Sequence, residues 1–371
     1  MIVGVPTEIK SDEYRVAMTP TGVRELTAHG HRVVIQSGAG DGSAIGDDDF
    51  AAVGAEILPT AEAVFSTAEL IVKVKEPQPA EIAMLGPDKV LFTYLHLAAY
   101  PEEADGLIAS GATAIAYETV QLPSGALPLL APMSEIAGRM AAQAGAHYLE
   151  RPHGGRGVLI GGVPGVHPAH VTVIGAGMAG TNAAMVAAGM GAQVTILDLN
   201  VDRLRHLDEL TWGAIVTIRS SIQAIEEAVV DSDLVVGAVL VPGARAPVVV
   251  PEDLVAAMRP GSVAVDISID QGGCIATARE TKHRDPVYVQ HGVTHYAVGN
   301  IPGAVPRTAT YALTNATLPY TVALANGIRP ALTRHPELLG GINVAGGCVT
   351  NAAVADSLGK EHRDPMAIIA G

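Results

Sequence analysis

Four ionisable residues stand at or near the ends of predicted strands, where they could bind a substrate and exchange protons. They are Arg15, Lys75, His96 and Asp270. In open α/β sheets, groups that hold a substrate and accept a proton gather at the carboxyl ends of the strands. Asp266 lies in the same segment that Asp270 closes, Val263–Asp270, and is a rival to it. We therefore predict one polar site built from these residues, with the choice between the two acids left open.

A glycine-rich turn between two predicted elements has the spacing of a dinucleotide-binding motif. Residues 175–180 read G-A-G-M-A-G and follow the apolar strand Val171–Ile174. Gly175 would permit the tight turn, Gly177 the approach of a pyrophosphate, and Gly180 close packing of the helix on the sheet. The N-terminus of the following helix offers free N–H groups to phosphate oxygens. The motif therefore predicts that the chain binds a dinucleotide.

The acid that should accompany this motif is Asp198, which ends the second strand about 20 residues beyond the first glycine. Its carboxylate can accept hydrogen bonds from both ribose hydroxyls and would repel a 2′-phosphate, which favours NAD over NADP. Arg203 lies nearby and keeps NADP open as an alternative. The predicted cofactor contacts of this region are Gly175, Gly177, Met178, Ala179, Gly180, Asp198 and Arg203.

Strands and helices alternate in the first part of the chain. The predicted strands are Ile2–Pro6, Arg32–Ser37, Leu70–Val74, Val90–Leu95 and Thr113–Tyr117. Between the first two, a helix is predicted from Thr19 to His29, with Thr19 as its cap and Pro20 in its first turn. This alternation predicts parallel strand pairing with right-handed crossovers.

A second α/β unit is predicted after a long helix, Pro132–Glu150, and a glycine-rich stretch, His153–Gly165. Its strands are Val171–Ile174, Gln193–Leu197, Ala214–Ile218, Leu234–Gly237, Val263–Ile267 and Val287–Val289. That number suits a doubly wound sheet with two mononucleotide-binding halves. From Pro306 the chain turns helical again and is predicted to return to the first unit.

The fold class that these patterns predict is α/β, with two Rossmann-like domains built on parallel sheets. One domain is expected to be inserted into the other. The discontinuous domain, residues 1–128 and 306–371, should hold the substrate and catalytic groups, and the inserted domain, residues 129–305, should bind NAD.

Composition and charge exclude several classes of protein. The chain has 371 residues, of which 49% are hydrophobic, and a formal net charge of −15. This length predicts two domains, and this hydrophobicity excludes a disordered chain. The negative charge argues against binding to nucleic acid or to an anionic membrane. The N-terminus lacks the pattern of a signal peptide, so a cytoplasmic location is expected.

Cysteine usage gives no indication of a disulfide framework or a metal centre. Cys274 and Cys348 are too few for such a framework and are predicted to be buried thiols. No Cys-x-x-Cys or Cys/His cluster indicates zinc, so no metal site is predicted. Histidines other than His96, such as His147 and His153, are interpreted as structural or surface residues.

Several segments resemble the alanine dehydrogenase family, whose nearest relatives are the NAD-binding parts of proton-translocating transhydrogenases. The resemblance extends from Val3 to about Asn326, and residues 340–371 depart from it most. The matching segments are Gly4–Lys10, Glu13–Pro20, Val74–Pro77, Thr93–Ala98, Ala116–Thr119, Pro128–Gly138, Asp266–Gly273 and Thr310–Ala316.

The resemblance implies a role for each of the four ionisable residues. Arg15 would bind the substrate carboxylate with its planar guanidinium, and Lys75 would bind near the carboxylate and the reacting carbonyl. His96 would be the general acid and base, since imidazole titrates near neutral pH. Asp270 would be a second acid/base that orients water or ammonia beside the nicotinamide ribose.

The resemblance also implies an activity and an assembly. The activity is the reversible, NAD-dependent oxidative deamination of L-alanine to pyruvate and ammonia, by a homohexamer. One methylene group supplies only ~1–3 kcal/mol of discrimination, so glycine, formed from glyoxylate in the reverse direction, stays open as a second substrate. The further residues expected to line the cofactor cleft are Ser134, Ser220, Val239, Leu240, Ile267, Asp270, Asn300 and Ile301.

Three other functions stay open. The chain could be the NAD-binding subunit of a transhydrogenase, although Met133–Glu135 resembles the dehydrogenases. It could be a non-catalytic NAD-binding sensor, against which the four ionisable residues argue. It could also be a lysine- or saccharopine-type dehydrogenase with a longer substrate. A substrate screen that follows NADH formation would distinguish these functions.

Overall fold

The computed structural model of the chain describes residues 1–240 and 245–369. The chain forms two compact units, one of residues 1–133 and 305–371, the other of residues 134–304. We call them unit 1 and unit 2. Both are α/β with mainly parallel strands, and unit 2 is inserted into the sequence of unit 1, which confirms the predicted fold class. The sequence-based domain limits, at 128/129 and 305/306, differ slightly from this division into units and stay a prediction.

Unit 1 contains an eight-stranded sheet among its described residues. Numbered along the chain, its strands are β1 (Ile2–Val5), β2 (Arg32–Gln36), β3 (Glu56–Leu58), β4 (Leu70–Val72), β5 (Val90–Thr93), β6 (Thr113–Ala116), β14 (Ile342–Ala345) and β15 (Cys348–Val349). The spatial order is β15-β14-β6-β5-β4-β1-β2-β3, with β1 to β6 parallel. The direction of winding therefore reverses between β1 and β4, which are neighbours.

The helices of unit 1 lie between these strands and after the last of them. They are α1 (Pro20–Ala28), α2 (Asp47–Ala51), α3 (Ala61–Thr67), α4 (Pro79–Ile82), α5 (Pro101–Ser110), α11 (Pro306–Ala325), α12 (Ile328–Arg334), α13 (Leu338–Gly341), α14 (Ala352–Leu358) and α15 (Pro365–Ile369). The Thr19 hydroxyl accepts a hydrogen bond from the N–H of Gly22, so the predicted cap of α1 is confirmed. The N–H of Val16 donates to the hydroxyl of Thr310 at 3.1 Å, which ties α11 back to unit 1 as predicted.

Three strands of unit 1 are absent from the sequence-based prediction. β3 is short and only half-buried, so it lacks a strong apolar run. β14 and β15 lie in the C-terminal stretch, residues 340–371, which departs most from the family and carries no pattern that predicts a strand. β14 pairs antiparallel with β6, and β15 pairs antiparallel with β14, so this sheet is mixed and not wholly parallel.

Unit 2 contains a seven-stranded sheet within the described ranges. Its strands are β7 (His170–Ile174), β8 (Gln193–Asp198), β9 (Ile215–Arg219), β10 (Leu234–Gly237), β11 (Val263–Asp266), β12 (Val287–Gln290) and β13 (Val293–Tyr296). The order is β12-β13-β11-β10-β7-β8-β9. The sixth parallel strand is β13, and the predicted strand at Val287–Val289 is instead the antiparallel edge strand β12. The remaining strands confirm a doubly wound sheet with its switch point between β7 and β10.

Small residues bring helix α6 very close to its neighbours in unit 2. The helices of this unit are α6 (Ala131–Tyr148), which begins at the end of unit 1, α7 (Met178–Gly189), α8 (Val201–Thr211), α9 (Ile222–Val230) and α10 (Glu252–Ala257). A Cβ atom on Gly138 of α6 would lie 2.0 Å from the carbonyl oxygen of Ala179, and one on Gly145 would lie 2.4 Å from Leu234. Helix α6 therefore lies in close contact with α7 and with β10.

Within residues 1–240 and 245–369, no helix has both the length and the apolar character needed to cross a membrane.

Both cysteines are free thiols. Cys274 is buried as predicted, whereas Cys348 is partly exposed because it stands on the edge strand β15.

Candidate active site

Arg15, Lys75 and His96 lie beyond the carboxyl ends of neighbouring strands in unit 1. Arg15 is in the loop after β1, Lys75 follows β4, and His96 follows β5. β1 and β4 are the strands between which the sheet changes its direction of winding. Ligands of open α/β sheets bind at such switch points, outside the carboxyl ends of the strands. The location of these three residues is therefore that of a binding site.

The His96 imidazole is held between an aromatic ring and a buried carboxylate. Its ring stacks on Tyr94 with 5.7 Å between centroids, and its Nδ1 lies 3.5 Å from Oε2 of Glu76. Burial alone would raise the pKa of Glu76, but the contact with His96 and the charges of Lys75 and Lys10 lower that pKa well below its usual range. Glu76 is therefore a permanent negative charge beside His96.

The backbone at His96 adopts a left-handed conformation with φ of 51°. This conformation is uncommon for a residue other than glycine, and because it costs energy it persists only where the surroundings hold it. The Glu118 carboxylate does so, since Oε1 accepts the N–H of His96 at 2.6 Å and that of Leu95 at 3.2 Å. Glu118 thus fixes the direction in which His96 leaves the strand.

The Arg15 guanidinium is buried and paired with an acid close by in sequence. Its Nε lies 2.7 Å from Oε1 of Glu13, and its Nη2 lies 2.5 Å from Oε2. Its Nη1 also contacts the sulfur of Met133 at 3.0 Å. Burial would lower the pKa of Arg15, but the charge of Glu13 raises it overall. Glu13 therefore orients the guanidinium and keeps it charged in a buried place.

Two lysines of the K-V-K segment have different surroundings. Lys73 is fully buried, with Nζ 2.9 Å from Oε2 of Glu8 and 2.7 Å from Oε1 of Glu81. Lys75 is 7% exposed, and its positive charge acts on Glu76 and Glu103. Lys73 is therefore paired within an internal ion cluster, whereas Lys75 lies beside the acid that contacts His96. The binding of a substrate by Lys75 stays a prediction.

Contacts and charges connect the three predicted residues of unit 1. The charge of Arg15 acts on the Tyr94 hydroxyl, and the Tyr94 ring stacks on His96. Glu76 then links His96 to the adjacent Lys75.

Sequence reasoning missed Glu76 and Glu118 as supporting residues. Both lie in segments that resemble the family. A carboxylate that pairs with a backbone N–H group or an imidazole far away in sequence leaves no recognisable pattern among its sequence neighbours.

Glu103 is a further acid near this group. Burial raises its pKa to about 7, and the negative charge of Glu76 adds to the effect, while Lys10 and Lys75 oppose it. In the unfolded chain the same carboxyl would have the ordinary value of 4.5. Between these two values the unfolded state loses a proton that the folded state keeps, so rising pH lowers the free energy of unfolding.

Replacing Glu103 with glutamine should therefore stabilise the protein at pH 8 more than at pH 5. Allowing for solvent screening of a half-buried group, we expect the gain to differ by ~1–2 kcal/mol between the two pH values. Urea unfolding at both pH values measures it. Glu102→Gln, at the exposed neighbouring position, is the matched control and should change stability little at either pH. Equal effects of Glu103→Gln at pH 5 and pH 8 would contradict the shifted pKa.

The glycine turn in unit 2 has the geometry that the motif predicts. Gly175 has φ of 105°, which favours glycine. A Cβ atom on Gly180 would lie 1.7 Å from the carbonyl oxygen of Gly175, so only glycine fits there. A Cβ atom on Gly177 would meet no atom of the chain within 4 Å. The turn is thus closed towards the sheet at Gly180 and open at Gly177, as an approaching pyrophosphate would require.

The acid of the motif stands at the end of β8, beside the glycine turn. Oδ2 of Asp198 accepts the N–H of Ala176 at 2.6 Å, and Oδ1 accepts the N–H of Asn200 at 2.7 Å. Nη1 of Arg203 lies 3.8 Å from Oδ2 of Asp198. Met178 and Ala179 begin helix α7, where free N–H groups can meet phosphate oxygens. These residues fit a dinucleotide.

The two acids that competed for one role have different environments. Asp266 is buried, and its carboxylate accepts N–H groups of Ser268, Cys274 and Ile275 at 2.8–2.9 Å. Asp270 is exposed in the turn after β11, where its Oδ2 lies 3.4 Å from the N–H of Asn300. Asp266 therefore holds the loop that carries Asp270, and its carboxylate is surrounded by backbone N–H groups, whereas that of Asp270 is exposed. The role of Asp270 as an acid/base stays a prediction.

Most of the other predicted cofactor residues follow the ends of strands in unit 2. The exception is Ser134, which lies in α6 where unit 2 begins. The others are Ser220 after β9, Val239 and Leu240 after β10, Ile267 after β11, and Asn300 and Ile301 after β13. The hydroxyl of Ser268 donates to the carbonyl of Val239 at 2.8 Å, and the N–H of Ser220 donates to the carbonyl of Asp198 at 2.9 Å. These contacts fix the loops at one end of the sheet. Their contact with a cofactor stays a prediction.

Comparison with known proteins gives matches over almost the whole chain. The N-terminal domain model of the alanine dehydrogenase/PNT family matches residues 4–137, and its C-terminal domain model matches residues 141–352. Alanine dehydrogenase of Mycolicibacterium smegmatis is 56% identical over 371 residues, which cover 100% of each chain. Alanine dehydrogenase of Bacillus subtilis is 54% identical over 364 residues, which cover 98% of this chain and 96% of the other.

Solved structures agree with these matches. A structure of L-alanine dehydrogenase is similar with a TM-score of 0.93 and 51% identity, covering 97% of this chain and 99% of the other. A transhydrogenase from Sinorhizobium meliloti is similar with a TM-score of 0.81 and 26% identity, covering 95% of this chain and 100% of the other. Since both domain models match and relatives above half identity span the full length, the chain belongs to the alanine dehydrogenase/PNT family.

Proposed function

We propose that this protein is an NAD-dependent L-alanine dehydrogenase, which converts L-alanine, NAD⁺ and water reversibly to pyruvate, ammonium, NADH and a proton. The observation that carries the proposal is the group of Arg15, Lys75 and His96 at the switch point of unit 1. This group can bind a small amino acid by its carboxylate and exchange its protons. The dinucleotide turn of unit 2 and full-length relatives named alanine dehydrogenase support it further.

The substrate is held by its carboxylate in the proposed reaction. Arg15 and Lys75 carry positive charges in a buried place, so they bind an anionic carboxylate with little competition from water. Holding the reactants in this way can supply up to ~7–11 kcal/mol of the barrier in favourable intramolecular reactions. Bound NAD supplies the acceptor for the hydride that leaves Cα. The electron pair of the neutral amine forms the imine as that hydride leaves.

His96 moves the protons in the steps that follow. It takes a proton from the water that adds to the imine carbon and returns that proton to the nitrogen. It then takes the hydroxyl proton of the carbinolamine as the C–N bond breaks, so that the carbonyl of pyruvate forms and ammonia leaves. The charge of Glu76, 3.5 Å from Nδ1, favours a proton on that nitrogen and leaves Nε2 as the base. Asp270 is proposed to orient the attacking water. The reverse sequence aminates pyruvate.

A coupled set of assays tests this function. Purified protein is mixed with NAD and either L-alanine, glycine, L-lysine or saccharopine, and NADH formation is followed by absorbance. We expect L-alanine to give the highest kcat/KM. Hydride transfer from NADH to an NADP analogue without any amino acid would indicate the transhydrogenase instead. NADH binding with no turnover of any substrate would indicate a sensor.

Alanine substitutions at two glycines of the motif should have separable effects. Gly180→Ala places a Cβ atom against the backbone of Gly175 and should destabilise the fold by ~1–3 kcal/mol. Gly177→Ala meets no atom of the chain, so stability should change by less than ~1 kcal/mol, whereas NADH affinity should fall at least about tenfold. Thermal unfolding and fluorescence titration with NADH measure the two quantities. Unchanged NADH affinity in Gly177→Ala would contradict the proposed position of the pyrophosphate.

We also propose that the chain assembles as a homohexamer and acts in the cytoplasm, as the family resemblance implies. Light scattering of the purified protein tests the assembly, and a mass other than six chains would contradict it. Fractionation of the source cells tests the location.

A further inference from the structure

Three potential metal ligands gather on the surface of unit 2, outside all the residues discussed for the reaction. His147 lies in the last turn of α6, Glu150 follows the helix, and His153 ends a short 3₁₀ turn, Arg151–His153. One ligand atom of each residue lies within 4.8 Å of the others, and all three residues are exposed. The two imidazole rings lie 3.8 Å apart between centroids, at 38° to each other.

The backbone that carries this cluster is well defined. The N–H of Glu150 donates to the carbonyl of His147 at 3.2 Å, and the N–H of His153 donates to that of Glu150 at 3.1 Å. Pro152 restricts the turn from within, and Gly154, with φ of 90°, ends it. The helix end and the turn thus hold the three Cα atoms in place, so only side-chain rotations are needed to bring the ligand atoms together.

The kind of ligand follows from the chemistry of the donors. Two imidazole nitrogens and one carboxylate oxygen suit Zn²⁺ and neighbouring transition metals, whereas Mg²⁺ and Ca²⁺ prefer oxygen ligands alone. Bonds of ~2.0–2.2 Å require ligand atoms closer than in the present arrangement, which exposed side chains can reach by rotation. The negative charge of the whole chain, −15, also favours the approach of a cation.

We propose that His147, Glu150 and His153 form a binding site for a divalent transition metal, with at least one coordination position left to water. The site is absent from the sequence-based expectation, which predicted no metal and interpreted both histidines as structural or surface residues. The ion would tie the end of α6 to the turn that follows it. Metal binding should therefore raise the midpoint of thermal unfolding, because a ligand of the folded state stabilises that state.

Zinc binding to the full chain tests the site directly. Tag-free protein treated with chelator, in a Cys348→Ser background that removes the partly exposed thiol, is titrated with Zn²⁺ against a chromophoric chelator. We expect one strong site per chain. His147→Ala and His153→Ala should each lower the zinc affinity by at least ~10- to 100-fold. Loss of a residue that only supports a metal ligand already costs that much, and these residues are ligands themselves. Zn²⁺ should raise the thermal midpoint of the parent protein but not of these variants.

A matched control uses another exposed histidine beside an acid. His291 lies 2.8 Å from Glu252, and His291→Ala should keep both the affinity and the thermal shift. Unfolding of the metal-free variants checks that each substitution leaves the fold intact. Equal zinc affinity in the parent protein, His147→Ala and His153→Ala would overturn the proposal, as would the lack of any strong site in the parent protein.

Discussion

Replacing His96 with alanine should lower the turnover number for L-alanine by about 10²- to 10⁴-fold and leave NADH binding intact. The imidazole is the group proposed to move protons to and from water, nitrogen and oxygen, whereas the dinucleotide turn belongs to unit 2. Steady-state kinetics at saturating L-alanine and fluorescence titration with NADH measure the two effects. The loss should appear in kcat more than in KM, because Arg15 and Lys75 still bind the carboxylate.

A matched control is His29→Ala, which removes an exposed histidine at the end of α1. It should leave both kcat and NADH affinity unchanged. Turnover of His96→Ala within a few fold of the parent protein would show that another group moves the protons. Restoration of part of the turnover by added imidazole would support the assignment, since a small base could then occupy the vacated space.

Replacing Lys73 with methionine should destabilise the protein by ~3–5 kcal/mol, since it leaves two buried carboxylates without their cation. Lys73 is fully buried, and the side chains of Glu8 and Glu81 are each 2% exposed. Loss of one partner from such a cluster costs the full penalty of an uncompensated buried charge. Urea unfolding near neutral pH measures the change in the free energy of unfolding.

The control is the triple variant Lys73→Met, Glu8→Gln and Glu81→Gln, in which no charge of the cluster remains. It should recover most of the lost stability, because neutral groups carry no penalty of buried charge. Glutamine at position 8 can still accept the N–H of Val74, which Glu8 accepts at 2.6 Å. Similar stability of the single and triple variants would show that packing, and not charge, determines the role of Lys73.

Local pattern was sufficient for the parts of the fold and site that depend on neighbours in sequence. The cap of α1, the strands with strong apolar runs and the glycine turn before α7 are fixed by a few adjacent residues. The apolar runs that predicted strands also predicted that Lys75 and His96 lie just after two of them. Both are found beyond the carboxyl ends of β4 and β5.

Contacts between distant segments were not predictable from single-sequence pattern. The carboxylates of Glu76 and Glu118 support His96 from other parts of the chain, and nothing in their own neighbourhoods indicates it. The choice between Asp266 and Asp270 also stayed open, because Asp266 ends the apolar strand that Asp270 follows. It depends on backbone N–H groups from the loop beyond, which surround Asp266.

The pairing of β14 with β6 has a consequence for synthesis on the ribosome. The hydroxyl of Thr119, just after β6, donates a hydrogen bond to the side-chain oxygen of Asn343 in β14. Asn343 lies 224 residues later in the chain. At typical translation rates this partner emerges roughly 10–45 s after β6. During that interval the nascent sheet presents an unpaired β6 edge, to which chaperones or a neighbouring nascent chain could bind. All of unit 2 emerges within the same interval and can fold first.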